Sequence, residues 1–281
     1  RNGAMLIKDA DEWKLFCKLV NEKGMTNLNA RLDGDVNLGG DIVMVGTYAN
    51  KYAGTFNGQE YALKINWNSG SNTWIAPFQT VDGATIKNLR TQGKITSRDG
   101  QYLSGLVFEA YGATTLTGCV SDVDITGGNS GLASSNAAGM VQAVASGASV
   151  QITDCLVKGS ITDNADESYR AMAGFVFSNS GTYTLTRCLY VGKNNATGDS
   201  NSKTFGMDGY GATFTDCYYL NACGKAQGDK ITEAQLRNGY VAYKLQKGIE
   251  SQVWGQTLGT DTIPLTARVT PSCWFGLPPR T

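Results

Sequence analysis

Asp154, Arg187 and Asp216 place a cation between two carboxylates at equivalent positions of an internal repeat. Carboxylates can neutralise an acidic sugar, often through calcium, while a basic side chain removes a proton, which is the chemistry of a polysaccharide lyase. The same residues could instead form a surface ladder of ion pairs, each worth at most about 1 kcal/mol. We take the structural interpretation as primary and keep the triplet as the catalytic runner-up.

Histidine is absent from the chain. This absence excludes a Ser-His-Asp triad, an H-E-x-x-H zinc site and any general base built on imidazole. The 24 basic and 24 acidic residues cancel, and no Lys/Arg block occurs, so nucleic acid is not an expected partner. No apolar stretch approaches the roughly 20 residues that cross a bilayer.

Cysteine also recurs in one column of the repeat, at Cys119, Cys155, Cys188 and Cys217. Side chains stacked about 4.8 Å apart in a line suit neither tetrahedral zinc nor a disulfide. The seven cysteines are an odd number and include no C-x-x-C pair. We therefore interpret the column as small buried hydrophobic residues and predict no metal.

The acidic segment Asp163-Asn-Ala-Asp166-Glu167 could ligate calcium. It lacks the spacing and the glycine of an EF-hand loop and the Gly-Asp nonapeptide of calcium-binding β-rolls. A solvated loop is the favoured interpretation, and we expect no cofactor.

Aromatic residues are numerous, with 13 tyrosines and five tryptophans. Rigid flat rings at an exposed edge can stack on sugar faces, although some rings will simply pack within loops. The candidates for ligand contact in or beside predicted loops are Trp67, Trp74, Tyr102, Tyr111, Tyr169, Tyr183 and Tyr210.

Five aligned copies of a repeat position these residues. One apolar column contains Ile86, Leu116, Ile152, Leu185 and Phe214, and the copies are 30, 36, 33 and 29 residues apart. Three residues beyond this column lie Leu89 and the four cysteines. The residue just before the cysteine column is Asn88, Gly118, Asp154, Arg187 or Asp216, and these mostly turn-forming types predict a bend between two strands.

The extra length of the longer copies falls in polar segments at 97–103, 127–137, 163–172 and 196–204. Short strands joined by bends, with insertions at one corner, predict an all-β chain folded as a right-handed parallel β-helix. An antiparallel sandwich also gives short strands, but it does not predict column-by-column similarity at this spacing.

The ends of the chain carry signals for caps. Asp9 and Glu12 resemble a capping box before a helix whose apolar face includes Trp13 and Phe16, and Thr232 with Gln235 repeats that pattern near the other end. We predict four regions: a cap helix and first coil at 6–50, β-helix repeats at 51–225, a helix-plus-strand cap at 226–266, and a tail or vector-derived extension at 267–281.

The unit that runs from Gly105-Leu-Val-Phe108 through Cys119 to Ile125-Thr-Gly127 resembles the GLUG-type repeats of bacterial surface and secreted proteins. Together with Gly54-Thr-Phe56-Asn57-Gly58 and the flanking segments, it is similar to uncharacterised cell-surface β-helix proteins of gut anaerobes over about residues 6 to 266. The chain departs from the repeat where a second glycine commonly closes the Gly-Leu-Val segment, and has Phe108, Gln142 and Phe177 there.

The resemblance implies a secreted or outer-surface protein with a role in adhesion or glycan binding, and similar repeats accompany bacterial immunoglobulin A metalloproteases. We expect a non-catalytic, adhesin-like module that presents loops to a polysaccharide or host glycoprotein. The alternatives are a polysaccharide lyase or glycoside hydrolase of β-helix fold and an accessory module of a larger secreted protease. The oligomeric state is left open.

Overall fold

A computed structural model describes residues 3–99, 101–129, 134–197, 201–208 and 211–266. Its helices are α1 (Ala10–Asn21), α2 (Glu233–Arg237) and α3 (Tyr240–Gln246), with a short 3-10 helix at Glu167–Tyr169. The strands are β1 (Met5–Ile7), β2 (Ala30–Leu32), β3 (Val36–Gly39), β4 (Thr55–Asn57), β5 (Ala62–Asn68), β6 (Phe78–Asp82), β7 (Thr85–Lys87), β8 (Arg90–Thr96), β9 (Val107–Tyr111), β10 (Ala113–Thr117), β11 (Val120–Gly127), β12 (Val141–Val144), β13 (Ser149–Thr153), β14 (Leu156–Val157), β15 (Ile161–Asp163), β16 (Thr182–Thr186), β17 (Leu189–Tyr190), β18 (Ala212–Thr215), β19 (Tyr218–Tyr219), β20 (Asp229–Lys230), β21 (Trp254–Gly255) and β22 (Leu265–Thr266).

Strands β1 to β20 form three parallel sheets that run along a solenoid of about six turns, and β21 and β22 form a separate antiparallel pair. The first sheet has the order β1-β2-β4-β7-β10-β13-β16-β18, and the second has the order β3-β5-β8-β11-β14-β17-β19-β20, with β15 also on β11. The third sheet contains β6, β9 and β12, and single bridges continue it to Val176 and Gly206. The predicted parallel β-helix is thereby confirmed.

Strand register matches the columns of the repeat. Leu116 pairs with Ile86 on one side and with Ile152 on the other, and Leu185 continues the same row. The five bend residues that follow this row all have positive φ angles, between 51° and 63°. These left-handed angles turn the chain from the first sheet into the second, as the residue types predicted.

The cysteine column lies inside the coil next to this bend. The four side chains are 0 to 3% exposed, and none of the six cysteines in the described part of the chain is in a disulfide. Their interpretation as small core residues is confirmed. The polar insertions, as far as they are described, all follow strands of the second sheet, so they share one corner of the solenoid.

Helix α1 closes the N-terminal end of the solenoid. Trp13 and Phe16 are fully buried and meet Tyr52, Phe56 and Phe78 of the first coils, with ring centroids 5.5 to 6.0 Å apart. The backbone N–H of Glu12 donates to Asp9 Oδ1 at 2.9 Å, which is the predicted N-cap. The helix thus covers core that an open coil end would expose.

The segment after residue 226 packs along the side of the solenoid. Its apolar residues cover a row on the outer face of the second sheet, and the cluster comprises Val120, Leu156, Leu189, Tyr218, Ile231, Leu236, Val241, Leu245 and Trp254. Thr232 and Gln235 form the predicted capping box of α2. Residues 267–281 lie outside the described residues, and no helix within the described ranges is long and apolar enough to cross a membrane.

Candidate functional site

The outer face of the third sheet carries a groove of partly exposed aromatic rings. In β9, Val107 and Ala110 point into the core, which leaves Phe108, Glu109 and Tyr111 partly exposed. The strand register places Phe108 in one outward row with Gln79, Gln142 and Phe177 on the neighbouring coils. We call the surface formed by Tyr48, Trp74, Tyr102, Phe108, Tyr111 and Phe177 the aromatic groove, in which Phe177 is the most buried ring at 9% exposure.

Two cavities open along the aromatic groove. The first has a volume of about 540 Å³ and is lined by Tyr48, Trp74, Gln79, Thr80, Phe108 and Glu109. The second has a volume of about 420 Å³ and is lined by Trp74, Tyr102, Phe108, Gln142, Ala143, Phe177, Ser178, Asn179 and Ser180. Trp74 and Phe108 belong to both and stack with ring centroids 6.2 Å apart and planes at 28°. This pair therefore forms the shared wall between the cavities.

Two groove aromatics occupy a backbone conformation that is unusual for bulky residues. Trp74 has φ of 65° and Tyr102 has φ of 62°, and Asn136 has φ of 44° at the same corner one coil later. Left-handed angles of this kind cost on the order of 1–3 kcal/mol each and concentrate at functional sites. The Tyr102 N–H donates to the Ser135 carbonyl at 2.7 Å, and Trp74 remains 53% exposed. The corner thus holds a large ring towards solvent.

Charged groups lie near Tyr48, at one end of the aromatic groove. Lys51 Nζ is 4.8 Å from the Tyr48 ring centroid and 4.7 Å from that of Tyr111, so the ammonium lies between two rings. Burial, followed by the charge and hydrogen bond of Glu109, raises the pKa of Tyr111 to about 12. Within the described ranges Glu109 forms no ion pair.

The structure brings only some of the predicted ligand contacts together. Trp74 and Tyr102 line the groove and Tyr111 lies at its edge, whereas Tyr169 is exposed on the 3-10 helix and is not among the residues lining either cavity. Tyr210 lies outside the described residues.

The predictions for Trp67 and Tyr183 are wrong, because both side chains are buried in the core. Trp67 is an inward residue of β5, and Tyr183 is an inward residue of β16 whose hydroxyl donates to the Met207 carbonyl. Both positions belong to strands rather than loops, so neither ring can stack on a ligand.

The cavity-lining residues Tyr48, Phe108, Glu109 and Phe177 were not among the ligand contacts predicted from the sequence. A signal for two of them was present, because Phe108 and Phe177 hold the same column of the internal repeat, three residues after Gly105 and Gly174. Large side chains on an outward row add surface to that face.

Two members of the predicted catalytic triplet, Asp154 and Arg187, take part in a contact that attaches the C-terminal segment to the solenoid. Arg187 donates to both oxygens of Asp154, with Nε to Oδ1 at 2.7 Å and Nη2 to Oδ2 at 2.9 Å, and Trp254 Nε1 donates to Oδ1 at 3.0 Å. The Asp154 side chain is 6% exposed and Trp254 is fully buried. The interpretation as a surface ladder is therefore wrong for Asp154, since only Asp216 is exposed.

The acidic segment that begins at Asp163 is also partly structural. Asp163 is fully buried and accepts hydrogen bonds from Ser134 Oγ at 2.6 Å and from the N–H groups of Ser135 and Ala165. The solvated-loop interpretation is wrong for Asp163, whose carboxylate joins two coils, while Asp166 and Glu167 are exposed. No group of three or more potential metal-ligating residues was found in the described part of the chain.

Comparison with known proteins supports the fold. No family model and no curated protein matches the chain. A solved structure, the 1.30 Å crystal structure of a "putative immunoglobulin A1 protease" from Bacteroides ovatus, is similar with a TM-score of 0.59. The identity is 13%, and the match covers 94% of each chain. At this identity the likeness shows a shared β-solenoid arrangement.

Proposed function

We propose that the protein is a non-catalytic, adhesin-like binding module of the cell exterior that binds a polysaccharide or host glycoprotein in the aromatic groove. The observation that carries this proposal is the Trp74–Phe108 pair, which stands between two cavities on an otherwise open face. Rigid rings can stack on sugar faces with little loss of side-chain entropy.

Polar groups beside the rings supply hydrogen-bonding capacity for hydroxyl groups. Gln79 lies in the first cavity and the exposed Asn179 lies in the second, whereas Gln142 and Ser178 line the second cavity at only 4% and 5% exposure, and the Ser178 hydroxyl already bonds to Val144 and Ser180. Amide and hydroxyl side chains both donate and accept, which matches the bonding capacity of a neutral sugar. Strands β6 and β9 hold Gln79 and Phe108 on a rigid scaffold, so little ordering of these two side chains is needed on binding.

An enzyme that acts on polysaccharide is a less favoured alternative. Hydrolysis of glycosides commonly requires two carboxyl groups that flank one bond, and the described lining of the two cavities contains one carboxylate, Glu109. The carboxylate of Asp154 is engaged by Arg187 and Trp254 beneath the C-terminal segment.

An accessory module of a larger secreted protease is the second candidate function. The single observation that favours it is the similarity of fold to the solved structure described as an immunoglobulin A1 protease. In this role too, the aromatic groove would bind a glycosylated partner.

A glycan array followed by calorimetry on the best ligand tests the proposal. We expect Trp74→Ala and Phe108→Ala each to weaken binding about tenfold, because each removes a stacking surface. Tyr169→Ala is the matched control, since it removes an exposed ring outside the groove and should leave affinity unchanged. Absence of binding across the array, or equal affinity of Trp74→Ala and the wild type, would contradict the proposal.

A further inference from the structure

The first cavity combines aromatic faces with a negative charge. Tyr48, Trp74 and Phe108 provide three rings, and Glu109 is the one charged residue among the described lining residues. Glu109 is partly exposed and forms no ion pair within the described ranges. The negative faces of the rings and the carboxylate all favour positive charge in the same space.

The protein already places one ammonium against one of these rings, Tyr48, and against the neighbouring ring of Tyr111. Lys51 Nζ lies 4.8 Å from the Tyr48 centroid and 4.7 Å from the Tyr111 centroid, within the roughly 6 Å over which a ring attracts a cation. Lys51 is not among the residues that line the first cavity, so the space bounded by Trp74, Phe108 and Glu109 is left to a ligand.

The composition of the cavity argues against acidic ligands. A uronate, sialate or sulfate group would approach Glu109 without a lining Lys or Arg to compensate the repulsion, and like charges at close range are unfavourable. A neutral sugar would leave the charge of Glu109 without a counterion, with the Tyr111 hydroxyl as its hydrogen-bonding neighbour. A cationic group would use the carboxylate and the rings together.

We propose that the first cavity recognises an organic ammonium group carried by the glycan ligand. This inference rests on the proposed function and specifies its chemistry. The ammonium is either the protonated amine of a hexosamine or the trimethylammonium of a choline substituent. The group enters between Trp74 and Tyr48 with its charge facing Glu109, and the sugar chain extends past Phe108 into the second cavity.

Saturation-transfer NMR titrations on the full chain test the inference with two matched pairs of probes. Choline is compared with its neutral isostere 3,3-dimethylbutan-1-ol, and glucosamine at pH 6 is compared with N-acetylglucosamine. We expect the cationic member of at least one pair to bind about fivefold more tightly, the advantage of one exposed charge contact. The pair that shows the preference identifies the source of the ammonium.

Three variants separate charge from shape. Glu109→Gln should abolish the preference for the cationic probe without weakening the neutral one, and Trp74→Ala should weaken the cationic probe about tenfold. Glu250→Gln is the charge control, because it removes an exposed carboxylate of the C-terminal segment, which packs on the second sheet, and it should change nothing.

Equal affinities within both probe pairs, or an unchanged preference in Glu109→Gln, would overturn the inference. If neutral glycans still bind in a Trp74-dependent way, the proposed function stands and only the ligand class is wrong. If neither ammonium probes nor glycans bind, both proposals fail.

Discussion

The contact between Asp154, Arg187 and Trp254 should determine how firmly the C-terminal segment is attached. Asp154→Asn removes the charge that both donors share and presents an amide N–H₂ to one of them. Breaking a buried ion pair by changing one partner costs roughly 3–5 kcal/mol. The Arg187 side chain is 24% exposed, so it can form hydrogen bonds to water when the carboxylate is lost. We therefore expect the free energy of unfolding to fall by about 3 kcal/mol, the lower end of this range.

Trp254→Phe removes the indole N–H but keeps an aromatic ring at the same buried position. The lost hydrogen bond to a charged acceptor is worth about 1.5–3 kcal/mol. Because Trp254 Nε1 and Arg187 Nε share Asp154 Oδ1, the two variants should not be additive. We expect a coupling of about 1–2 kcal/mol in the double-mutant cycle with Asp154→Asn.

Equilibrium urea unfolding followed by far-UV circular dichroism measures these values, and limited proteolysis reports release of the C-terminal segment. Asp216→Asn is the matched control, because Asp216 shares the bend column and the left-handed backbone but is exposed. It should lie within about 0.5 kcal/mol of the wild type. The reasoning is refuted if Asp154→Asn is equally stable, or if its effect and that of Trp254→Phe simply add.

Two further predictions concern the core. The buried cysteines should resist alkylation at pH 8 in the native protein and react after denaturation, because burial raises the pKa of Cys17, Cys155, Cys188 and Cys223 above the ordinary value of 9.0. As the pH rises, the thiols of the unfolded chain ionise before the buried thiols of the native protein. These thiols should therefore leave the free energy of unfolding unchanged below pH 9 and lower it above pH 9, by up to about 1.4 kcal/mol per pH unit per thiol. Alkylation of the native protein at pH 8 would contradict this. Gly139→Ala should cost more than about 3 kcal/mol in urea unfolding, because its Cβ would lie 2.1 Å from the Gly174 carbonyl oxygen. Gly40→Ala is the control, with its nearest atom at 3.8 Å, and equal stability of the two variants would count against the close-packing argument.

The repeat made the solenoid predictable because stacked coils place equivalent residues in register. A column that stays apolar over five copies must face the interior, and the bend column must accept left-handed angles, so both were readable from residue type. The N-terminal helix was predictable for the same reason, since Asp9 and Trp13 mark a cap and an apolar face within a single turn.

The candidate site was less predictable because its residues come from different coils and from insertions of unequal length. Trp67 and Trp74 are seven residues apart, yet one lies inside β5 and the other beyond the corner that follows it. Aromatic type alone does not distinguish them, whereas strand alternation does once the end of the strand is known. Tyr48 reaches the groove from the first coil, where the repeat is too divergent to align.

The sequence also contains a signal for the position of the C-terminal segment, which the sequence analysis did not use. Each of the four cysteines is followed by an apolar residue, at Val120, Leu156, Leu189 and Tyr218. Neighbouring residues of a strand face opposite sides, so if cysteine points inward the next residue points outward. Four stacked apolar residues on an outer face require a cover, and the amphipathic segment around Leu236 and Trp254 supplies it.

The three outer faces of the solenoid consequently differ in a way that bears on function. The first carries a row of partly or fully exposed threonines, the second is covered by the C-terminal segment, and the third leaves Trp74 and Phe108 exposed to solvent. The C-terminal segment covers the outer face of the second sheet. Among the described residues no comparable segment covers the third face, and aromatic side chains remain accessible there. Because the faces share only the interior, substitutions in the aromatic groove should alter binding while the Asp154 contact and the cysteine core stay intact. A loss of affinity in Trp74→Ala that is accompanied by wild-type unfolding would therefore report on the groove itself.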